Sequence, residues 1–127
     1  YVVTNGTAKQ ASPTKGPLGY LVGGKTGTAE KLEHGRYKPG AVLSSFVGAF
    51  PIHAPRYVVF AVLDEPKGIK ESYGYSTGGW TAAPLVGRVI ARIAPVLGIA
   101  PRDETAPEML RALAIDPEKA GTRLAAF

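Results

Sequence analysis

A chain of 127 residues, 45% hydrophobic and 20% charged, has the balance of a folded globular domain or of part of one, not of a disordered tail. It holds no cysteine, which excludes disulfides, thiolate metal sites and cysteine nucleophiles. The formal net charge is +5, but its carriers, from Lys9 and Lys15 through Arg36 and Lys38 to Arg88 and Arg92, are scattered, so a nucleic-acid interface is not expected. No apolar run approaches the roughly 20 residues of a membrane-spanning helix. The chain opens on Tyr1-Val2-Val3 without Met and reads as a piece of a longer protein.

Abundant Gly and Pro predict many turns and few long elements. Residues 1–17 are polar, with turn signals at Asn5-Gly6 and Lys15-Gly16-Pro17. Residues 18–30 read as a strand, and residues 31–43 as a loop around Gly35 and Pro39-Gly40. Residues 44–50 alternate, with Phe46, Gly48 and Phe50 on one face and Ser45, Val47 and Ala49 on the other. Pro51 to Pro55 supply a turn. The apolar run 57–63 reads as a strand buried on both faces, paired with 44–50 as an antiparallel hairpin.

Residues 64–79 form a long loop. A helix follows, with Pro84 in its first turn, Leu85, Val86, Val89, Ile90 and Ile93 on an apolar face, and Arg88 and Arg92 opposite. Pro95 is expected to kink its last turn and Gly98 to end it. Residues 1–98 are thus taken as one unit and 99–127 as a tail with a short helix near 107–113. The fold class is α+β: an antiparallel sheet, three strands in this piece, with a C-terminal helix packed on one face.

Three motifs compete. Lys25-Thr26-Gly27-Thr28 follows Gly23-Gly24 and matches the Lys-Thr-Gly strand of penicillin-recognising serine enzymes. A lysine cation there supports proton transfer and attracts a substrate carboxylate, and Thr hydroxyls can hydrogen-bond that carboxylate. Gly27 lets substrate approach the backbone, and an edge N–H can donate to an oxyanion.

The segment from Gly19 to Thr26 also satisfies the nucleotide-binding pattern G-x-x-x-x-G-K-[ST], and Asp64-Glu65 ends an apolar run as a Mg²⁺-holding acid does. The context disagrees, because Ser12 to Pro17 cannot form the preceding strand and Gly27 stands where a helix should start. Ser12-Pro13-Thr14-Lys15 matches S-x-x-K, but Gly16-Pro17 and Gly19 deny it the helix that would bring Lys to Ser. No S-x-N companion exists, since the single Asn is Asn5. His34 and His53 stand alone in loops, so neither a metal nor a cofactor is expected. Trp80 reads as an anchor for the helix.

Taken together, Val2 to Ala8, Val22 to Lys31, Phe46 to Pro51 and Tyr73 to Pro84 resemble the C-terminal half of class B penicillin-binding proteins, in particular those that crosslink septal peptidoglycan in cell division. The resemblance covers roughly residues 1–100, in order and spacing. It implies the penicillin-recognising serine transferase, or β-lactamase-like, fold, with the active-site serine upstream of this chain. It assigns Lys25 to the proton network, the Thr26 and Thr28 hydroxyls to a peptide or β-lactam carboxylate, and the Thr28 N–H to the oxyanion hole. Relatives often carry aromatic residues before the last Gly-Gly. Ser76 and Thr77 stand there, so Tyr73 and Tyr75 would supply the aromatic wall.

The implied activity is D,D-transpeptidation of D-Ala-D-Ala stem peptides, inhibited by β-lactams. It would be carried out at the periplasmic face of the inner membrane by a parent with an N-terminal anchor. The implied partners are the missing N-terminal part of the domain, a membrane-bound glycosyltransferase and division proteins. A serine β-lactamase, a penicillin-sensing domain and a nucleotide hydrolase are the alternative readings.

Overall fold

The computed structural model of the chain describes residues 3, 7–11, 18–103 and 105–114. The Asn5-Gly6 turn, the Ser12–Lys15 motif and the end of the tail lie outside the described residues. Among the described residues, five strands and two α-helices follow in order: β1 (Leu18–Gly19), β2 (Gly23–Glu33), β3 (Arg36–Phe50), β4 (Tyr57–Asp64), α1 (Ala82–Val96), β5 (Arg102–Asp103) and α2 (Pro107–Leu113). Strands β2, β3 and β4 form an antiparallel sheet in that order, and α1 packs on it. This is the expected α+β arrangement. The hairpin of 44–50 with 57–63 is also observed, with Phe50 opposite Tyr57 and Ser44 opposite Leu63.

The strand expected over 18–30 is split, with Tyr20 to Val22 outside both β1 and β2, and two further expectations fail. Residues 31–43 are not a loop: β2 runs on to Glu33 and β3 begins at Arg36. His34 and Gly35 both take left-handed φ, 52° and 76°, which suits a two-residue hairpin turn whose twist matches its strands. Pro39-Gly40 marks an irregularity inside β3 instead of a break, because Gly40 at φ 72° lets the chain deflect and rejoin the ladder. The second failure is β4. Its apolar run is covered on one face only: Tyr57, Val59, Ala61 and Leu63 turn toward the core, while Val58, Phe60 and Val62 are 66%, 65% and 50% exposed. Strand alternation sends those three to the face opposite α1, and one helix covers one face.

The core lies between that inner face and α1. Phe46 and Phe50 of β3 are fully buried against a stripe of α1 made by Ala83, Val86, Ile90 and Ala94, spaced i, i+3, i+7, i+11. Leu85 and Val89, expected in its centre, flank it half-buried, and Arg88 and Arg92 are exposed as expected. Small residues bring the layers close. A side chain at Gly87 would meet the Ala11 carbonyl at 2.7 Å, so the turn Lys9–Ala11 seats directly on the helix. We expect Phe46→Ala to lower the stability of the intact domain by about 3–5 kcal/mol in denaturant unfolding, because a fully buried ring leaves a cavity the sheet cannot close.

The helix runs one residue past Pro95 and ends in a two-bond cap. Gly98 at φ 68° donates to the Pro95 carbonyl, and Ile99 donates to that of Ala94 at 2.9 Å. Ile99 is buried in the core. Beyond it, β5 pairs with β1, Leu18 opposite Asp103, a contact between chain ends that no periodicity announces. The short helix at 107–113 is present, and its Met109 is buried. No helix among the described residues is long and apolar enough to cross a membrane.

Candidate active-site edge

Lys25, Thr26, Gly27 and Thr28 lie on β2, opposite Val47, Phe46, Ser45 and Ser44 of β3. Among the described residues β2 has no strand on its other side, so alternate backbone N–H groups of this stretch point outward from a free edge. The placement dismisses the phosphate-loop reading: Gly24-Lys25-Thr26 is extended strand, with neither a loop nor a helix after it. Asp64 and Glu65 are engaged by Lys31, at 2.7 and 2.9 Å.

Alternation divides the four residues between two faces. Thr26 and Thr28 share the side of Phe46 and Ser44, toward α1. Lys25 and Gly27 share the opposite side with Val47 and Ser45. A group lying along the edge therefore meets the lysine from one face and the two hydroxyls from the other. Lys25 is exposed, and its Nζ donates to the Thr26 carbonyl at 2.7 Å. A side chain on Gly27 would meet Ser45 Oγ at 2.5 Å, so the edge is kept bare there.

The hydroxyls are held, not loose. Thr28 Oγ1 accepts from the Gly78 N–H at 3.0 Å, which leaves its own O–H free to donate outward. Thr26 Oγ1 lies 3.2 Å from Thr7 Oγ1. The loop that reaches them is pinned from below: buried Ser44 donates to the Ser76 carbonyl, and Thr81 Oγ1 donates to that of Thr77 at 2.9 Å. Gly78 is required by proximity, since a Cβ there would sit 2.4 Å from the Ser45 carbonyl and 2.5 Å from that of Gly27. Ser44, Gly78 and Thr7 were not singled out from sequence. Only Ser44 carried a signal, as a polar residue at an inward position of an alternating strand.

Tyr73 and Tyr75 gather on Trp80. Tyr73 meets the indole edge-on at 5.5 Å between centroids, and Tyr75 stacks on it at 6.0 Å. Both tyrosines remain exposed, at 78% and 57%. Their loop is built on buried Ser72, whose hydroxyl receives the Ile69 N–H at 3.0 Å and returns a bond to the Ile69 carbonyl. Tyr73 and Gly74 turn it back with φ 51° and 79°. Trp80 also walls an open pocket of about 330 Å³ that includes Leu63, Ile69, Pro84 and Arg88. It is half-buried, an anchor on one side and an aromatic platform on the other.

Residues 1–91 match the family model of the penicillin binding protein transpeptidase domain. A probable peptidoglycan D,D-transpeptidase FtsI of Caulobacter vibrioides is 52% identical over 92 residues, 68% of this chain and 16% of that protein. Stage V sporulation protein D of Bacillus subtilis is 41% identical over 101 residues, 80% of this chain and 14% of that protein. The apo transpeptidase domain of Burkholderia pseudomallei penicillin-binding protein 3 superposes with a TM-score of 0.61 at 32% identity, over 79% of this chain and 28% of that one. The chain thus spans well under a third of each relative. The sheet and helix described above are those of the penicillin-recognising serine transferase fold.

Proposed function

Since the chain belongs to the penicillin-binding protein transpeptidase domain family, we propose that it is the C-terminal part of that domain in a class B enzyme and supplies one wall of its active site. The parent is a serine-type peptidoglycan D,D-transpeptidase of septal cell-wall synthesis. Residues 1–98 belong to the catalytic domain, and residues 99–127 are its tail. The observation that carries this reading is the free β2 edge, with Lys25 on one face and the Gly78-anchored Thr28 on the other.

In the reaction, the hydroxyl oxygen of a serine outside this chain attacks the penultimate D-Ala carbonyl of a donor stem peptide. The proton leaves through a network that includes Lys25, and the carbonyl electrons move onto oxygen. The Thr28 N–H donates to that oxyanion, and Gly27 lets the peptide lie close to the strand. The Thr26 and Thr28 hydroxyls hold the terminal carboxylate. Collapse expels the terminal D-Ala as its amine and leaves an ester, which the amine of a second stem peptide then attacks to form the crosslink and free the serine. A β-lactam enters by the same carboxylate contacts and stops at the ester. Tyr73 and Tyr75, steadied by Trp80, form an aromatic wall for either ligand.

The parent works at the periplasmic face of the inner membrane, anchored by an N-terminal helix, beside a membrane-bound glycosyltransferase and division proteins. The missing N-terminal part of the domain brings the serine and the S-x-N motif. Mass spectrometry of the penicillin-acylated full-length protein should place the adduct on a serine upstream of Tyr1, and Ser12→Ala should leave acylation unchanged. An adduct on the peptide containing Ser12 would overturn the assignment.

A further inference from the structure

Strand alternation places Lys25, Gly27, Ala29 and Lys31 on one face of β2, and the register carries that face across Leu43 of β3 to Asp64 at the end of β4. The ladder between β2 and β3 is interrupted just past the candidate site. Glu30 pairs with Val42, yet Leu32 pairs with Tyr37, so residues 38–41 of β3 stand opposite Lys31 alone. Backbone pairing, continuous from Gly23 to Glu30, thus skips Lys31, and at that point the Lys31 side chain makes the cross-sheet link.

Lys31 Nζ reaches over β3 to Asp64 Oδ1 at 2.7 Å and Glu65 Oε1 at 2.9 Å. Glu65 is itself held by its N–H bond to the Val42 carbonyl at 2.9 Å. Lys38 lies 3.7 Å from Glu65 and 3.7 Å from Glu33, extending the charged chain along the base of the hairpin arm.

Resting on the reading that the β2 edge is the acyl-transfer site, we propose that Lys31 is a positioning residue of that reaction, which sets the level of Thr28 and Gly27 by tying β2 to the end of β4. Exposed ion pairs add little to global stability, so the tether acts on geometry. Geometry has leverage, because displacements near 1 Å at a reacting group can cost up to roughly 10²-fold in rate.

The groups facing Lys31 are Asp64 and Glu65, with Lys38 and Glu33 behind them. Hydrogen bonds to Asp64 and then Glu65 hold the Lys31 ammonium above the usual lysine range. The bond from Lys31, then the charges of Lys31 and Lys38, hold Glu65 below the usual carboxylate range. A raised lysine loses its contribution only as pH climbs through its folded value, and a lowered carboxylate only as pH falls through its own. The tether is therefore intact from mildly acidic to mildly alkaline solution, and its contribution should be flat from about pH 5.5 to 9.

The test is the acylation rate of the full-length protein by a fluorescent penicillin, with Tm measured alongside. Lys31→Ala and the double variant Asp64→Asn, Glu65→Gln should each slow acylation roughly tenfold at nearly unchanged Tm. Lys31→Arg should restore most of the rate, and joining Lys31→Ala to the double variant should cost nothing further. A wild-type rate for Lys31→Ala, an equal loss for Lys31→Arg, or additive losses would each overturn the tether. Should Lys31→Ala fail to fold, the Asp64 and Glu65 variant decides alone by the same rate criterion. Lys25→Ala separates the two readings: if it labels normally, the site assignment fails; if it is silent while Lys31→Ala is normal, only the tether fails.

Discussion

Lys25→Ala in the complete protein removes labelling by a fluorescent penicillin and leaves the domain folded. A positioned acid–base group contributes roughly 10²–10⁴ in rate, so the loss should reach the limit of a gel assay. The fold should survive because Lys25 is exposed, its amine donates to the neighbouring Thr26 carbonyl, and the strand beneath it is held by backbone pairing from Gly23 to Glu30. Alanine keeps an extended backbone and removes only the amine. A circular dichroism melt close to that of the parent checks the second half of the statement. Normal labelling by such a folded variant would remove this edge from the active site.

Much of the candidate site is legible in the sequence, because its residues are consecutive. Lys25, Thr26, Gly27 and Thr28 are consecutive, and a strand needs no partner to place them along one line. The alternation of 44–50 and the apolar run of 57–63 were equally plain, since period two survives in a list of letters. What the letters hid was non-local or backbone-driven. His34-Gly35 is a hairpin turn because both residues accept left-handed φ, yet composition alone made 31–43 look like a loop. Pro39-Gly40 is the usual mark of a chain break, but β3 uses Gly40 to absorb an irregularity and continues. Ser44 and Gly78 join the site across 32 and 50 residues of sequence, through the Ser76 carbonyl and Thr28 Oγ1, and no spacing rule reaches that far. The pairing of β1 with β5 is hidden for the same reason.

The exposed face of β4 leads to the other large expected effect: residues 1–127 expressed alone are insoluble or partly folded and bind no penicillin. Val58, Phe60 and Val62 line one face, and Val47 of β3 extends it at 38% exposed. Covering what remains bare of each such side chain is worth on the order of 1–2 kcal/mol, so the naked sheet has a strong drive to find a surface. The outer edge of β4 has no strand partner among the described residues, and an apolar strand with open N–H and C=O groups is a template for another copy. Opposing this, a three-stranded sheet with one long helix buries little area per residue against its chain entropy. On β4 itself little blunts association: from Tyr57 to Leu63 no side chain is charged, Asp64 arrives only at the end, already paired with Lys31, and the exposed Lys25 that β2 adds to this face lies two strands away, beyond Val47. The same chain within the full domain should be soluble, because upstream residues then cover the face and pair with the edge. Sedimentation velocity and a thermal melt of the isolated piece decide the matter. A monomer that melts cooperatively would mean that the sheet is complete as it stands and that Val58, Phe60 and Val62 face water by design.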